Sequence, residues 1–370
     1  MNRAGIREAK RIVVKIGSSS LTGRDGAGLN SEAVDRIVSV VSELKSAGKE
    51  VVVVSSGAIA AGLAPLGLTS RPKDLATQQA AASVGQGLLI HHYTEAFGKR
   101  NITASQVLLT IEDVVRRSHY QNAQRTLYRL LQLGVVPIIN ENDSVGTQEI
   151  RFGDNDRIAA LVSHLIGADL LVLITDIDAL YDSNPSQPNA KPIREVEDIS
   201  ALDENSFGGS GSRVGSGGMV TKIEAARIST GAGIPMLLTT LKDMSDAFRG
   251  ESVGTFFSAS HSRKPSRLLW LEHAATPRGT LVLDDGAVSA IRERGVSLLP
   301  AGVIGVQGDF SAGDTVELVS QSGAVIARGL VGFDSEEIPP MLGKSTKDLA
   351  RELGPEYERE LVHRDDLVLL

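Results

Sequence analysis

The sequence predicts an α/β protein with a mostly parallel sheet sandwiched by helices, followed by a small C-terminal β-rich barrel. Three observations predict it. Short runs of nearly pure aliphatic residues alternate with longer segments of helical periodicity, which is the pattern of a parallel sheet covered on both faces. Polar and glycine-bearing loops fall directly after several of those runs, at the edge where open α/β sheets bind ligands. Past Ser258 the pattern changes to short alternating runs separated by glycine.

The elements follow in order. Arg11 to Ile16 reads as a buried strand entering a Gly17-Ser18-Ser19 loop. Ser31 to Ala47 carries Val34, Ile37, Val38, Val41 and Leu44 on one helical stripe, with Asn30 or Ser31 as cap and Gly48 as stop. Val51 to Val54 is a second strand, leading into Ser55-Ser56-Gly57. Asp74 to Phe97 reads as a helix, Ala104 to Leu109 as a strand, Ser118 to Leu133 as a helix and Val135 to Ile139 as a strand. Asn155 to Ile166 is helical, Leu170 to Ile174 extended, Thr221 to Thr230 helical, and Met236 to Thr239 closes the set. Beyond a polar, Pro-bearing stretch, Thr280 to Leu283, Gly302 to Val306, Asp314 to Val319 and Val325 to Gly329 read as strands, with one helix from Ala287 to Arg294. The expected division is 1–262, a linker at 263–275, and 276–370.

Composition narrows the function classes. A chain of 370 residues accommodates two domains with a sizeable core. Its formal charge of −7 argues against general polyanion binding. With no cysteine there is no disulfide, thiolate metal site or cysteine nucleophile, which suits a reducing cytosol. The charged start MNRAGIREAKR lacks the apolar stretch of a signal peptide, and the apolar run Leu170 to Thr175 is too short to span a bilayer. The expectation is a soluble, cytoplasmic protein.

Two glycine-rich segments that each carry a lysine bracket the α/β region: VVKIGSSSLT at 13–22 and GSGGMVTK at 215–222. Small residues free backbone N–H donors and each lysine adds a point charge, the means of holding a chain of phosphates without a Walker loop. Lys15 leaves its strand just before Gly17 and Ser18. Lys222 follows a glycine-dense segment, 207–218, suited to closing over a nucleotide. Between them lie Asn140-Glu141-Asn142-Asp143 and Gly153-Asp154-Asn155-Asp156. A carboxylate acceptor is already ionised at neutral pH, so phosphoryl transfer to it needs neutralised charge and positioning rather than a general base. Asp143, Asp154 and Asp156 then serve to orient lysines, bind an ammonium or hold Mg²⁺ indirectly; the structural alternative for Asp154 or Asn155 is a helix cap.

Other signatures fail. Gly343-Lys344-Ser345-Thr346 resembles the tail of a Walker motif, but Ile338 occupies its first glycine position. Gly85-x-Gly87 and Gly215-x-Gly217 lack the third glycine of a dinucleotide fingerprint, and the adjacent His91-His92 lacks helical ligand spacing.

VVKIGSSSLT, VVVVSSGAIAAG, INENDSV, GDNDRIAALV, LITDIDALYDSNP and GSGGMVTKIEAA, in collinear order, resemble the bacterial glutamate 5-kinase family of the amino-acid kinase fold. The segment GTLVLDDGAVSAIRERGVSLLPAGV is similar to the PUA domain appended to many of its members, and the terminal VHRDDLVL is similar too. The resemblance implies transfer of the γ-phosphoryl of ATP to the side-chain carboxylate of L-glutamate, with Mg²⁺, as the first step of proline biosynthesis. It implies that Lys15 and Lys222 neutralise the transferring phosphoryl and that Asp156 holds the lysines. Ser56, Gly57, Asp143, Asp154 and Asn155 would bind glutamate. Gly17, Ser18, Thr175, Asp176, Ser216, Gly217, Gly218, Met219, Val220 and Thr221, with both lysines, would line the ATP site. Feedback inhibition by proline and a homo-oligomer are implied as well, and product instability suggests a transient complex with the reductase that consumes it. The loop at 22–30 departs from the family pattern but carries none of these residues.

Two rivals remain at this point. Another amino-acid kinase, such as an N-acetylglutamate kinase or an aspartokinase, would share the fold; Asp143 as an ammonium site favours glutamate over an N-acetylated acceptor. RNA binding through the PUA-like domain is disfavoured, because acidic residues outnumber basic ones beyond residue 276.

Overall fold

A computed structural model describes residues 2–22, 28–115, 117–145, 155–183, 185, 187, 189–202, 216–259, 271 and 277–370. The chain divides into two units, Met1–Ser266 and Arg267–Leu370. Apart from Leu271, the expected linker at 263–275 lies outside the described residues, as does the 203–215 stretch.

The first unit is built on one eight-stranded sheet. Its strands are β1 (Arg11–Ile16), β2 (Glu50–Ser55), β3 (Ala104–Leu109), β4 (Val136–Glu141), β5 (Leu170–Thr175), β8 (Glu195–Val196), β9 (Met236–Thr240) and β10 (Thr255–Phe257), in the order β3-β4-β2-β1-β5-β9-β10-β8. A separate two-stranded ribbon pairs β6 (Leu180–Tyr181) with β7 (Pro192–Ile193). From β3 through β9 every pairing is parallel; β10 runs antiparallel to β9. β1 sits between β2 and β5, with Lys15 in register with Val54 and Leu173. The central strands are buried along almost their whole length, which is why they read as aliphatic runs without alternation.

The helices are α1 (Ser18–Leu21), α2 (Ser31–Ser46), α3 (Ala58–Leu63), α4 (Leu75–Gly98), α5 (Ile111–Val115), α6 (Arg117–Gln132), α7 (Asn155–Leu165), α8 (Ser216–Gly231) and α9 (Met244–Phe248). Asn30 caps α2 through its side chain and Asp74 caps α4. α3 and α4 cross at Gly62 and Gly85, where an added Cβ would collide with the carbonyls of Ala81 and Ala58. Gly85 is therefore a helix-crossing residue, and that is the role of the half-matching Gly85-x-Gly87 motif. Among the described residues no helix is long and apolar enough to cross a membrane.

Two local expectations change. The Gly17-Ser18-Ser19 loop is a one-residue turn, after which Ser18–Leu21 coil into a helical turn capped by Gly17. The helix expected at 221–230 begins five residues earlier, at Ser216, so the glycines at 217 and 218 are its first turn. Glycine's poor helix propensity hides that turn in the sequence. Thr221 and Lys222 hold it in place by bonds described below.

The second unit has a five-stranded sheet: β11 (Gly279–Leu283), β12 (Val303–Gly308), β13 (Thr315–Val319), β14 (Val325–Val331) and β15 (Val362–Leu369), ordered β12-β11-β13-β14-β15. Bulges near Val282, Leu318 and Gly329 bend it. Leu281, Val316, Leu318, Phe333, Ile338 and Met341 form its core. α10 (Asp285–Arg294) is capped by Asp284, and α11 (Thr346–Glu352) by Ser345. The Walker-like Gly343-Lys344-Ser345-Thr346 is thus a turn and a helix cap, with Lys344 paired to Glu352 at 2.6 Å.

Candidate active site

β1, β2, β4, β5 and the start of α7 bring their polar ends together at one edge of the sheet. Lys15 is the fifth residue of β1, and its ammonium lies 2.5 Å from Asp156 Oδ1. Lys222, in the second turn of α8, places its ammonium 3.2 Å from Asp156 Oδ2. A helical side chain leans toward the N-terminus of its helix, so Lys222 also reaches back to donate to the Gly218 carbonyl at 3.0 Å. The Thr221 hydroxyl donates to Asp156 Oδ2 at 3.0 Å. One buried carboxylate, with 3% of its side chain exposed, therefore bridges two lysines from opposite ends of the unit. Burial pushes the Asp156 carboxyl up, but Lys15 and Lys222 outweigh it and hold the group below the ordinary carboxylate range.

Gly17 donates its N–H to the Ile174 carbonyl at 3.1 Å, and the position of its missing Cβ is 3.7 Å from the Lys15 ammonium. At the end of β5, the Thr175 hydroxyl donates to Asp176 at 2.9 Å. Thr175 is buried, whereas Asp176 is exposed. The backbone of Ser216, Gly217, Gly218 and Met219 forms the first turn of the 16-residue α8. Its first N–H groups have no intrahelical acceptor, which with the positive end of the helix dipole suits them to an anion. Val220, 45% exposed, stands beside them.

Next to this charge cluster runs a chain of amides. Asn155, the first residue of α7, donates through Nδ2 to Ser56 Oγ at 3.1 Å and to Asn140 Oδ1 at 3.0 Å. Asn140 in turn donates to Gln86 Oε1 at 2.7 Å, and the Glu141 N–H donates to Asn140 Oδ1 at 2.9 Å. Gly57 adopts φ 105°, a left-handed conformation that turns the chain out of β2 and into α3. Below it, Ser55 Oγ lies 3.1 Å from the buried Tyr93 hydroxyl and anchors the strand end.

These residues open onto a cavity of about 420 Å³, lined among others by Ser18, Ser56, Gly57, Asn140, Asp143 and Asn155. Burial pushes the Asp143 carboxyl up to about 6, against the opposing pull of Arg71. Ser83 and Ser144 hydrogen-bond at 2.9 Å and tie the loop carrying Asp143 to α4. The described residues contain no group of three or more His, Cys, Asp or Glu placed to hold a metal ion. A Mg²⁺ that arrives on nucleotide phosphates keeps most of its ligands from phosphate and water and calls for one or two protein carboxylates.

The amino acid kinase family matches residues 10–240 of this chain, and the PUA domain matches residues 279–353. A glutamate 5-kinase from Streptomyces coelicolor is 58% identical over 369 residues, covering 100% of this chain and 98% of its own length. The chain belongs to the glutamate 5-kinases of the amino acid kinase family. Others from Thermobifida fusca and Bifidobacterium longum are 58% and 54% identical, each over 100% of this chain and over 95% and 98% of their own. The carbamate kinase from Giardia lamblia bound to AMP-PNP superposes with a TM-score of 0.50 at 18% identity, over 69% of this chain and 100% of that one. That likeness concerns the fold.

Of the residues expected at the site of this glutamate 5-kinase family member, the structure brings Lys15, Asp156, Thr221 and Lys222 into one cluster. Ser56, Gly57, Asp143 and Asn155 meet around one cavity. Asp154 lies outside the described residues. Ser18 lines the same cavity as Ser56, Asp143 and Asn155, although it was expected at the ATP site. The sequence reading missed Gln86, Thr69, Ser70 and Arg71 as site residues. Asn140 and Glu141 stood in a noted cluster directly after the strand expected at Val135 to Ile139, and in the structure they are that strand's last two residues.

Proposed function

We propose that the cavity holds L-glutamate with its γ-carboxylate directed at the Lys15–Asp156–Lys222 cluster, where it takes the γ-phosphoryl of Mg-ATP. A carboxylate oxygen attacks the γ-phosphorus, the bond to the β–γ bridging oxygen breaks, and γ-glutamyl phosphate and ADP result. Mg²⁺ neutralises phosphate charge when it is bound with the nucleotide. The chain's own residues do the rest.

The carrying observation is the doubly paired Asp156: it fixes two ammonium groups beside the Asn155 amide that faces the cavity. Such a preorganised pair stabilises negative charge that builds up in transfer, without reorganisation during the step. Asp156 positions the lysines. Lys15 and Lys222 meet the phosphoryl oxygens, and the N–H groups of Ser216 to Met219 cradle the nucleotide phosphates, with Thr175 and Asp176 along its edge. Asn155 and Ser56 orient the acceptor, and Asp143 takes the ammonium.

Proline shares the α-ammonium and α-carboxylate of glutamate, so the same cavity suits proline as a competitive feedback inhibitor. The need for ATP places the reaction in the cytoplasm. Val84 and Leu88, 39% and 38% exposed and one turn apart on α4, support a homo-oligomer. The acyl phosphate product is labile, which favours a transient complex with its reductase. The decisive assay follows ADP release with Mg-ATP and L-glutamate and traps the product as hydroxamate. Turnover of glutamate but not of N-acetylglutamate or aspartate, suppressed by proline, is the expected result; turnover only of another acceptor would overturn the substrate reading.

A further inference from the structure

We propose that Arg71 reads the substrate's free α-carboxylate, so that Arg71 and Asp143 together recognise the zwitterionic head of an α-amino acid. This rests on the reading of the cavity as the glutamate site, and assigns a residue that the family motifs leave out.

Three observations carry it. Arg71 lines the same cavity as Asp143, yet comes from a different element, the segment between α3 and α4. That segment is pinned three residues later, where Asp74 accepts the Thr77 N–H at 2.9 Å and caps α4. The positive charge of Arg71 acts on Asp143 in the free protein, so the two groups already face a common space. Among the described residues lining the cavity, Arg71 carries the one positive charge, while Glu141 and Asp143 are acidic.

The charge balance of glutamate then decides its role. The γ-carboxylate is directed to Lys15 and Lys222, and Asp143 takes the ammonium. The α-carboxylate, attached to the same carbon as that ammonium, would otherwise enter a wall that holds two carboxylic side chains. A guanidinium supplies both the counter-charge and a two-pronged fork that matches a carboxylate. Arg71 is exposed at the mouth of the cavity, so it can close onto the head group after the side chain has entered. Binding exchanges a through-space attraction between Arg71 and Asp143 for two direct pairings with the zwitterion.

The test compares Arg71→Met and Arg71→Lys with the wild type, using L-glutamate and 4-aminobutanoate, which is glutamate without its α-carboxylate. Arg71→Met is expected to raise the KM for glutamate about 10–100-fold, the scale of a lost charge-assisted hydrogen-bonded pair. The KM for ATP should move less than about threefold, and Arg71→Lys should recover part of the loss. The preference for glutamate over 4-aminobutanoate in kcat/KM should shrink by the same factor as the glutamate KM rises. An equal loss toward both acceptors, or a fall in kcat with the glutamate KM unchanged, would overturn the assignment. Where neither protein turns over 4-aminobutanoate, the split between glutamate KM and kcat decides. Wild-type turnover of glutamate tests the underlying function separately: its absence would sink that function rather than the Arg71 comparison alone.

Discussion

At the phosphate end of the site, Asp156 is buried between two lysines and is held more acidic than an ordinary carboxyl. At the end proposed to bind the substrate, about a dozen residues earlier in the chain, Asp143 is pushed up to about 6, and among the described residues Arg71, itself solvated, is what offsets its burial. The same side chain thus serves opposite ends of an energetic scale. Asp156 is compensated within the protein, so it stabilises the fold as well as the chemistry. Asp143 is under-compensated, so it burdens the empty protein, and in the proposed reading the ammonium of the substrate supplies the missing charge. A site that must bind and release a zwitterion leaves its recognition group under-compensated, while a site that must stabilise a transient charge has its cations fixed beforehand.

The largest expected effect comes from breaking the compensated end. Asp156→Asn leaves Lys15 buried without its counter-charge, so kcat should fall by about 10²–10³-fold. Stability should fall by about 3 kcal/mol, the cost of stripping one partner from a buried pair. Because the folded carboxyl is held below its unfolded value, that contribution is present above the ordinary carboxylate range and is lost as pH falls through the folded value. Activity and thermal unfolding of the variant check both; a normal kcat or an unchanged Tm would break the comparison.

Asp143→Asn should act in the reverse sense on stability. The folded carboxyl takes its proton at about 6 against 3.8 for an ordinary aspartate. Between those values the folded state binds more protons, so stability falls as pH rises through that window. Removing the charge should therefore raise Tm at pH 8, by the equivalent of up to about 3 kcal/mol, with the gain vanishing below about pH 4. The KM for glutamate should rise about 10-fold or more, with ATP little affected, and in the wild type it should rise as pH drops below about 6. Equal losses of glutamate and ATP binding would contradict the assignment.

Gln86→Ala should be the mildest change. It removes the far anchor of the Asn140–Asn155 amide chain, and the glutamate KM should rise about 2–5-fold at unchanged ATP KM. Steady-state kinetics with each substrate varied would show it; an ATP effect of equal size would place Gln86 outside the glutamate side.

Much of this was legible because the central strands are buried on both faces and so read as uninterrupted aliphatic runs, with polar loops after them. Lys15 and the Ser55-Ser56-Gly57 loop could be picked out from those positions, and Lys222 from its glycine-rich segment, whereas the roles given to Ser56 and Asn155 came from the family resemblance. The short strands β8 and β10, at the far side of the sheet, were not legible: two or three residues carry no period, and their pairing is decided by tertiary neighbours. The early start of α8 was hidden because glycine argues against a helix that packing and the Asp156 bonds enforce. β15 escaped as a strand, although its sequence was noted, because HRDD interrupts the apolar pattern. Gln86 and Arg71 reach the site from the middle of a helix and from an ordinary turn-like TSRP stretch, and only the fold shows where they end up.

The most direct test of the charge cluster is the kcat of Lys222→Ala at saturating Mg-ATP and L-glutamate, measured as ADP release from protein shown to be folded. The expected result is a fall of about 10²–10³-fold with the glutamate KM within a few-fold of wild type, because Lys222 acts on charge that develops during transfer. A folded variant with near-normal kcat would contradict the role of the paired lysines.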